Sequence, residues 1–152
     1  PYLTYAVTTW GNTYSTTLQP LYVLQKKALR IITFSEYRAH SNPLFHHLKI
    51  LKFSDLLFIN NALFVYDFHA NILPSVFHDF FTPVNRVHQY NTRLASKDSY
   101  YISKVMTNYG KFNIRFVGAK VWNSIQEDFK SKSRKQFKKL LTNHICNTYK
   151  DT

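Results

Sequence analysis

The sequence predicts a mainly α-helical fold: a single helical domain with at most a small β-hairpin in its second half. Three observations carry that expectation. Apolar residues recur at a helical period in several stretches, the spacing that lines one face of a helix. Glycine and proline number only three and five in 152 residues, which leaves few turn signals. Apolar side chains make up 45% of the chain, enough for a core at this length and far from the composition of a disordered basic tail.

Taken in order, Pro1 to Trp10 alternate loosely and read as a short strand or the end of a helix, stopped by Gly11 and Asn12. Thr17 to Phe34 follows as an amphipathic helix. Leu21, Leu24, Ala28, Ile31 and Ile32 make its expected core face, Thr17 its cap, and Pro20 falls in its first turn. Lys26, Lys27 and Arg30 lie off that face as neighbours on the helix surface. Asn42-Pro43 opens a short helix, Leu44 to Leu48. Ser54-Asp55 starts a second long helix, Leu56 to about His69, apolar almost all round and therefore expected to be central. Pro74 begins a further short turn of helix through Phe77, Phe80 and Phe81.

At Thr82 the character changes. Thr82 to Ser99 is polar, lacks a helical period and reads as an ordered loop or extended arm. Tyr100 to Val105 and Phe112 to Phe116 alternate on either side of Asn108-Tyr109-Gly110, which predicts the small hairpin. Phe116 to Ile125 returns to a helical period. Ser133 with Gln136 forms a capping box for the last helix, whose stripe is Phe137, Leu140, Leu141, His144, Ile145 and Tyr149. Arg134, Lys135, Lys138 and Lys139 lie off that stripe. Residues 1–81 are thus a helical core segment, and residues 82–152 add the basic loop, hairpin and C-terminal helices to one continuous domain.

Charge separates the two stretches. The chain carries 20 Lys+Arg against 8 Asp+Glu, a net charge of +12, and fourteen of those cations follow Thr82. Such a balance attracts polyanions. Basic residues also interleave with aromatics, at Arg86, His88, Tyr90 and Arg93 and at Tyr109, Lys111, Phe112, Arg115 and Phe116. Cations neutralise phosphates and aromatic faces stack bases, whereas the plainer reading makes the aromatics core and the cations a solvated surface.

Catalytic signals are lacking. The acids are scattered, and the one adjacent pair, Glu127-Asp128, reads as a surface turn rather than a clamp for two cations. His46 and His47 point to different helix faces, His40 and His88 read as backbone bridges, and His144 falls on a core stripe, so no zinc set is expected. Cys146 is the single cysteine, which rules out an internal disulfide and fits a reducing compartment. No glycine-rich phosphate loop and no apolar run of membrane-spanning length occurs. We therefore expect no catalytic residue, metal or cofactor on this chain. A membrane-surface role would need a helix with a broad exposed apolar face, and the apolar stripes read as core. The chain begins at Pro1 and reads as a piece of something longer.

Six pieces, in order along the chain, carry a resemblance: Trp10-Gly-Asn-Thr; Leu24-Gln-Lys-Lys-Ala-Leu-Arg-Ile-Ile-Thr; Ala39-His-Ser-Asn-Pro-Leu-Phe; Tyr90-Asn-Thr-Arg93; Gly118 with Val121-Trp-Asn123; and Phe137-Lys-Lys. They resemble the C-terminal region of reverse transcriptases from non-LTR retrotransposons (LINEs) of the jockey-like kind. Gly118-Ala119 departs from the Gly-Pro of that pattern. The resemblance implies a mostly helical segment lying after the polymerase thumb, intracellular in cytoplasm or nucleus, with RNA, DNA and the rest of a reverse transcriptase polypeptide as partners. It implies a grip on template RNA and target DNA without the catalyst, since the paired aspartates of the family's palm are absent from this sequence. The expected contacts are Lys26, Lys27, Arg30, Arg93, Lys111, Arg115, Lys135, Lys138 and Lys139 on phosphate, with Tyr90 stacking on a base. The alternatives are a docking scaffold for the remaining polymerase, with its charge incidental, or a decayed copy without a function of its own.

Overall fold

In the computed structural model, which describes residues 2–87 and 98–149, the chain is mainly helical. Helices α1 (Val7–Trp10), α2 (Ser15–Ile32), α3 (Ser41–Leu48) and α4 (Phe53–His69) are followed by a 3-10 turn (Ser75–Phe77) and α5 (Val84–Val87). Helices α6 (Asn108–Phe112), α7 (Ile114–Ser124), α8 (Glu127–Lys130) and α9 (Arg134–Thr148) complete the described chain.

Helix α4 is central, as its all-round apolar sequence requires. It packs against α7 and α9 from the second half and against α1 and α2 from the first. The main core joins Ile59, Ala62, Leu63 and Val65 of α4 to Ala119, Val121 and Trp122 of α7 and to Phe137 and Leu141 of α9. Two smaller clusters extend it. Val7, Leu18 and Phe53 seat α1 and α2 on the start of α4. Leu29, Phe45 and Tyr149 join the ends of α2 and α9 through α3.

Gly118 explains how closely α7 approaches α4. A Cβ there would fall 2.8 Å from Val65 Cγ2 and 2.8 Å from Phe81 Cζ, so only glycine fits without displacement. The Trp-Asn pair that follows fixes the neighbouring extended segment. Trp122 Nε1 donates to the Asp98 carbonyl (2.7 Å). Asn123 accepts from Tyr100 N (2.9 Å) and donates to Tyr100 O (2.8 Å), holding both polar groups of one peptide residue.

The small hairpin does not form. Thr107 accepts a hydrogen bond from Gly110 N and caps α6, so the Asn-Tyr-Gly sequence is the first turn of a helix. Asn113 caps α7 in the same way through Arg115 N. Two side-chain caps six residues apart outweigh the short alternation of apolar side chains. The β pairing found among the described residues is a single antiparallel bridge between Pro83 and Tyr100.

Helix ends differ from expectation in detail. Helix α2 begins at Ser15 with Tyr14 as a cap residue that makes no side-chain bond, so Pro20 lies in its second turn, on the exposed side. Ser133 caps α9 by position, without the side-chain bond of a capping box. His144 is exposed, its ring edge-on to Phe129, rather than packed in the core. Glu127 and Asp128 form the first turn of α8, and Glu127 pairs with Lys130 at 2.9 Å.

The largest correction concerns α2. Its buried residues are Leu18 and Leu29, flanked by Leu21, Tyr22 and Gln25, a face turned by about one residue position, roughly 100°, from the expected one. Gln25 pins this orientation. Its side chain donates to Leu51 O (2.8 Å) and accepts from Phe53 N (3.0 Å), tying α2 to the entry of α4. Leu24, Ala28, Ile31 and Ile32, expected in the core, are exposed.

Candidate nucleic-acid interface

The most coherent basic surface lies on α9. Phe137 and Leu141 face the core, and Phe137 stacks beside Tyr66 with ring centroids 4.9 Å apart. Successive helical residues turn by about 100°, so Lys135, Lys138 and Lys139 point away from that buried stripe, with Lys132 just before the helix in line with them. All four are exposed. Lys132 and Lys139 line one hollow of about 360 Å³ with Gln136, Leu140 and Asn143.

The neighbouring cations are already engaged. Arg134 makes a two-pronged ion pair with Asp67, Nε to Oδ1 at 2.6 Å and Nη2 to Oδ2 at 2.8 Å, and that bond holds its proton more tightly than usual. Lys130 is buried, paired with Glu127 and 5.0 Å over the Trp122 ring. Among the described residues these are the ion pairs of the molecule, so the α9 lysines face solvent without a carboxylate partner.

The other expected contacts are dispersed. Lys26 lines a hollow with Tyr22, Gln25 and Lys52, beside the buried side of α2. Lys27 lines a different hollow with Ile31, Phe34 and Tyr37. Arg30 is half-buried and its Nε donates to Ala39 O (3.0 Å), which fastens the connector after α2. Lys111 is exposed on α6, about 200° round the helix from exposed Tyr109, and Arg115 lies 4.4 Å over the Phe80 ring. Phe112 packs edge-on against Tyr14 (4.8 Å) and Phe116 is half-buried, so neither offers an open face. Tyr90 and Arg93 lie outside the described residues.

The structure thus unites Lys135, Lys138 and Lys139 and separates Lys26 from Lys27 and Arg30. Lys132 belongs with the α9 face but was not singled out from the sequence. Helical periodicity could not have found it, because the extended N-cap Ser133 ends the register before Lys132.

Several residues of the six sequence pieces hold the fold. Gln25, Trp122 and Asn123 do so as described. Asn12 and Asn61 exchange amide hydrogen bonds of 3.3 and 3.0 Å, joining the residue after α1 to the middle of α4. No group of three or more His, Cys, Asp or Glu residues that could hold a metal ion occurs among the described residues. Cys146 is half-buried, and burial raises its thiol pKa, with Asp55 adding to the effect, away from the reactive thiolate. No described helix is long and apolar enough to cross a membrane.

No family model, curated protein or solved structure matches the chain.

Proposed function

We propose that this chain is a nucleic-acid-binding segment that grips RNA or DNA through the exposed lysine face of α9. The observation that carries the reading is the clustering of exposed Lys135, Lys138 and Lys139 off the buried stripe of α9, with Lys132 just before the helix and none of them ion-paired among the described residues. Its chemistry is that of phosphate neutralisation, which is indifferent to base sequence. The ordered sequence pieces support the narrower proposal that the parent polypeptide is a non-LTR retrotransposon reverse transcriptase, working inside the cell on template RNA and target DNA. In that setting the chain contributes grip and no catalytic residue.

The test is the affinity for a fluorescent structured RNA and a DNA duplex over a salt titration. On duplex DNA the logarithm of affinity should fall with a slope of about −0.9 per neutralised phosphate. A slope equivalent to three or four contacts, reduced when the α9 lysines become glutamine, supports the reading. Weak binding without a slope, from folded protein, overturns it. A primer-extension assay on the chain alone should be blank.

A further inference from the structure

Helix α2 is apolar on two sides, and only one of them is used. Leu24, Ile31 and Ile32 are 61%, 74% and 60% exposed, and beyond the helix end Phe34 and Tyr37 are 98% and 77% exposed. Ile31, Phe34 and Tyr37 share one hollow of about 550 Å³ with Lys27 and Arg30. Leu24, Ala28 and Ile31 continue that surface up the helix at intervals of three and four residues. A contiguous exposed apolar surface rimmed by polar residues is the kind that marks an interaction site.

The backbone is strained at the centre of this surface. Helix α2 ends with Phe34 N donating to Ile31 O and Ser35 N to Arg30 O, the paired bonds that ordinarily place glycine at the left-handed position. Here Phe34 occupies it, with φ 51°. A bulky residue in this region is held at an energetic cost that glycine would avoid. The result is an aromatic ring presented almost wholly to solvent.

We propose that this face docks an amphipathic helix of a partner protein whose apolar stripe is edged by acidic residues. Charge complementarity selects the occupant. Lys27 and Arg30 line the hollow with Ile31, Phe34 and Tyr37, and its lining holds no acidic residue. A second copy of a chain with net charge +12 would set these cations against their own counterparts. The hollow between Ile31, Phe34 and Tyr37 can receive an aliphatic side chain from the apolar stripe of such a helix. Leu24, Ala28, Ile31 and Ile32 make most of the surface aliphatic, which favours an apolar stripe over stacked bases. The hollow shares no lining residue with the lysine hollow of α9, so the inference stands independently of the nucleic-acid reading.

The experiment selects binders to the full chain from a displayed library of helical peptides with a fixed Leu/Ile stripe and randomised flanks. Enrichment of Asp and Glu at the flanks is expected, with affinity falling at least tenfold for the double variant Ile31→Ser, Phe34→Gly. Both positions are exposed, and glycine relieves the strained turn, so the variant should fold and keep its RNA affinity. Lys27→Glu should shift the selected flanks towards Lys and Arg. Selected flanks without acidic bias, or binders indifferent to the double variant, overturn the proposal. So does loss of RNA affinity in that variant, which would place the face within the nucleic-acid grip. Sedimentation with phosphatidylcholine–phosphatidylserine vesicles that needs Ile31 and Phe34, with no acidic helix selected, overturns it in favour of a membrane surface.

Discussion

The Tyr149 hydroxyl at the end of α9 donates to the carboxylate of Asp55 in the first turn of α4, a bond between residues 94 apart in sequence. The same hydroxyl accepts from Lys52 N (3.1 Å), and Lys52 Nζ lies 4.4 Å over the ring. One side chain therefore closes the N-terminus of the central helix with the last turn of the chain.

Tyr149→Phe should destabilise the fold by about 1–3 kcal/mol, since it strands the Lys52 N–H and one carboxylate oxygen of Asp55. The pH dependence follows from the raised pKa of Tyr149, caused first by burial and then by the bond to Asp55. A group whose pKa is higher when folded contributes fully below its unfolded value, about 10 for tyrosine. That contribution is lost as pH rises through the folded value. Tyr100, pushed up to about 12 by burial and then by Asp98, acts in the same direction. Urea titrations from pH 8 to pH 11 should show stability falling above about pH 10, with a shallower fall in Tyr149→Phe. A pH-independent wild type would contradict this.

Replacing Lys135, Lys138 and Lys139 together by Gln should lower the salt slope of duplex binding by about 2–3, at about 0.9 per contact. Replacing Lys26 alone should change it little, because that lysine lies on a separate hollow beside Lys52. Equal losses from both variants would show that the charge acts as a diffuse field rather than as a face.

Gln25→Glu probes the clamp on the entry to α4. A carboxylate still accepts from Phe53 N but cannot donate to Leu51 O, so the change should cost about 1–3 kcal/mol in denaturant titration. Asn123→Asp makes the equivalent change at Tyr100, where the oxygen would still accept from N while the bond to O is lost. If both variants match the wild type, the two amides are incidental to stability.

Gly118→Ala should cost about 1–3 kcal/mol of overpacking, because Val65 and Phe81 are themselves buried and cannot yield. At Gly110 the added Cβ would meet Val105 Cγ1 at 2.0 Å, but Val105 lies in an irregular, largely exposed segment that can shift. The melting temperature should fall more for Gly118→Ala than for Gly110→Ala.

These residues also mark where the sequence was legible. Helix α4 was readable because it is apolar on every side, so no choice of face was needed. In α2 the helix was readable but its orientation was not: two apolar stripes compete, and the amide of Gln25, satisfied 26 and 28 residues away, decides between them. The hairpin was misread because Thr107 and Asn113 act as caps through bonds of three and two residues' reach, which alternation of apolar side chains does not report. The lysines of α9 were legible as a face because helix periodicity alone sets their direction. The dispersal of Lys26, Lys27 and Arg30 was not, since it depends on which neighbours α2 acquires.

The central position of α4 has a kinetic consequence. Its backbone amides are covered by α1 and α2 on one side and by α7 and α9 on the other. None of these partners can leave alone and open the whole helix to water. Hydrogen exchange in the Ile59–Val65 stretch should therefore proceed only through global unfolding and report the full stability of the molecule, while the outward turns of α2 exchange through smaller openings.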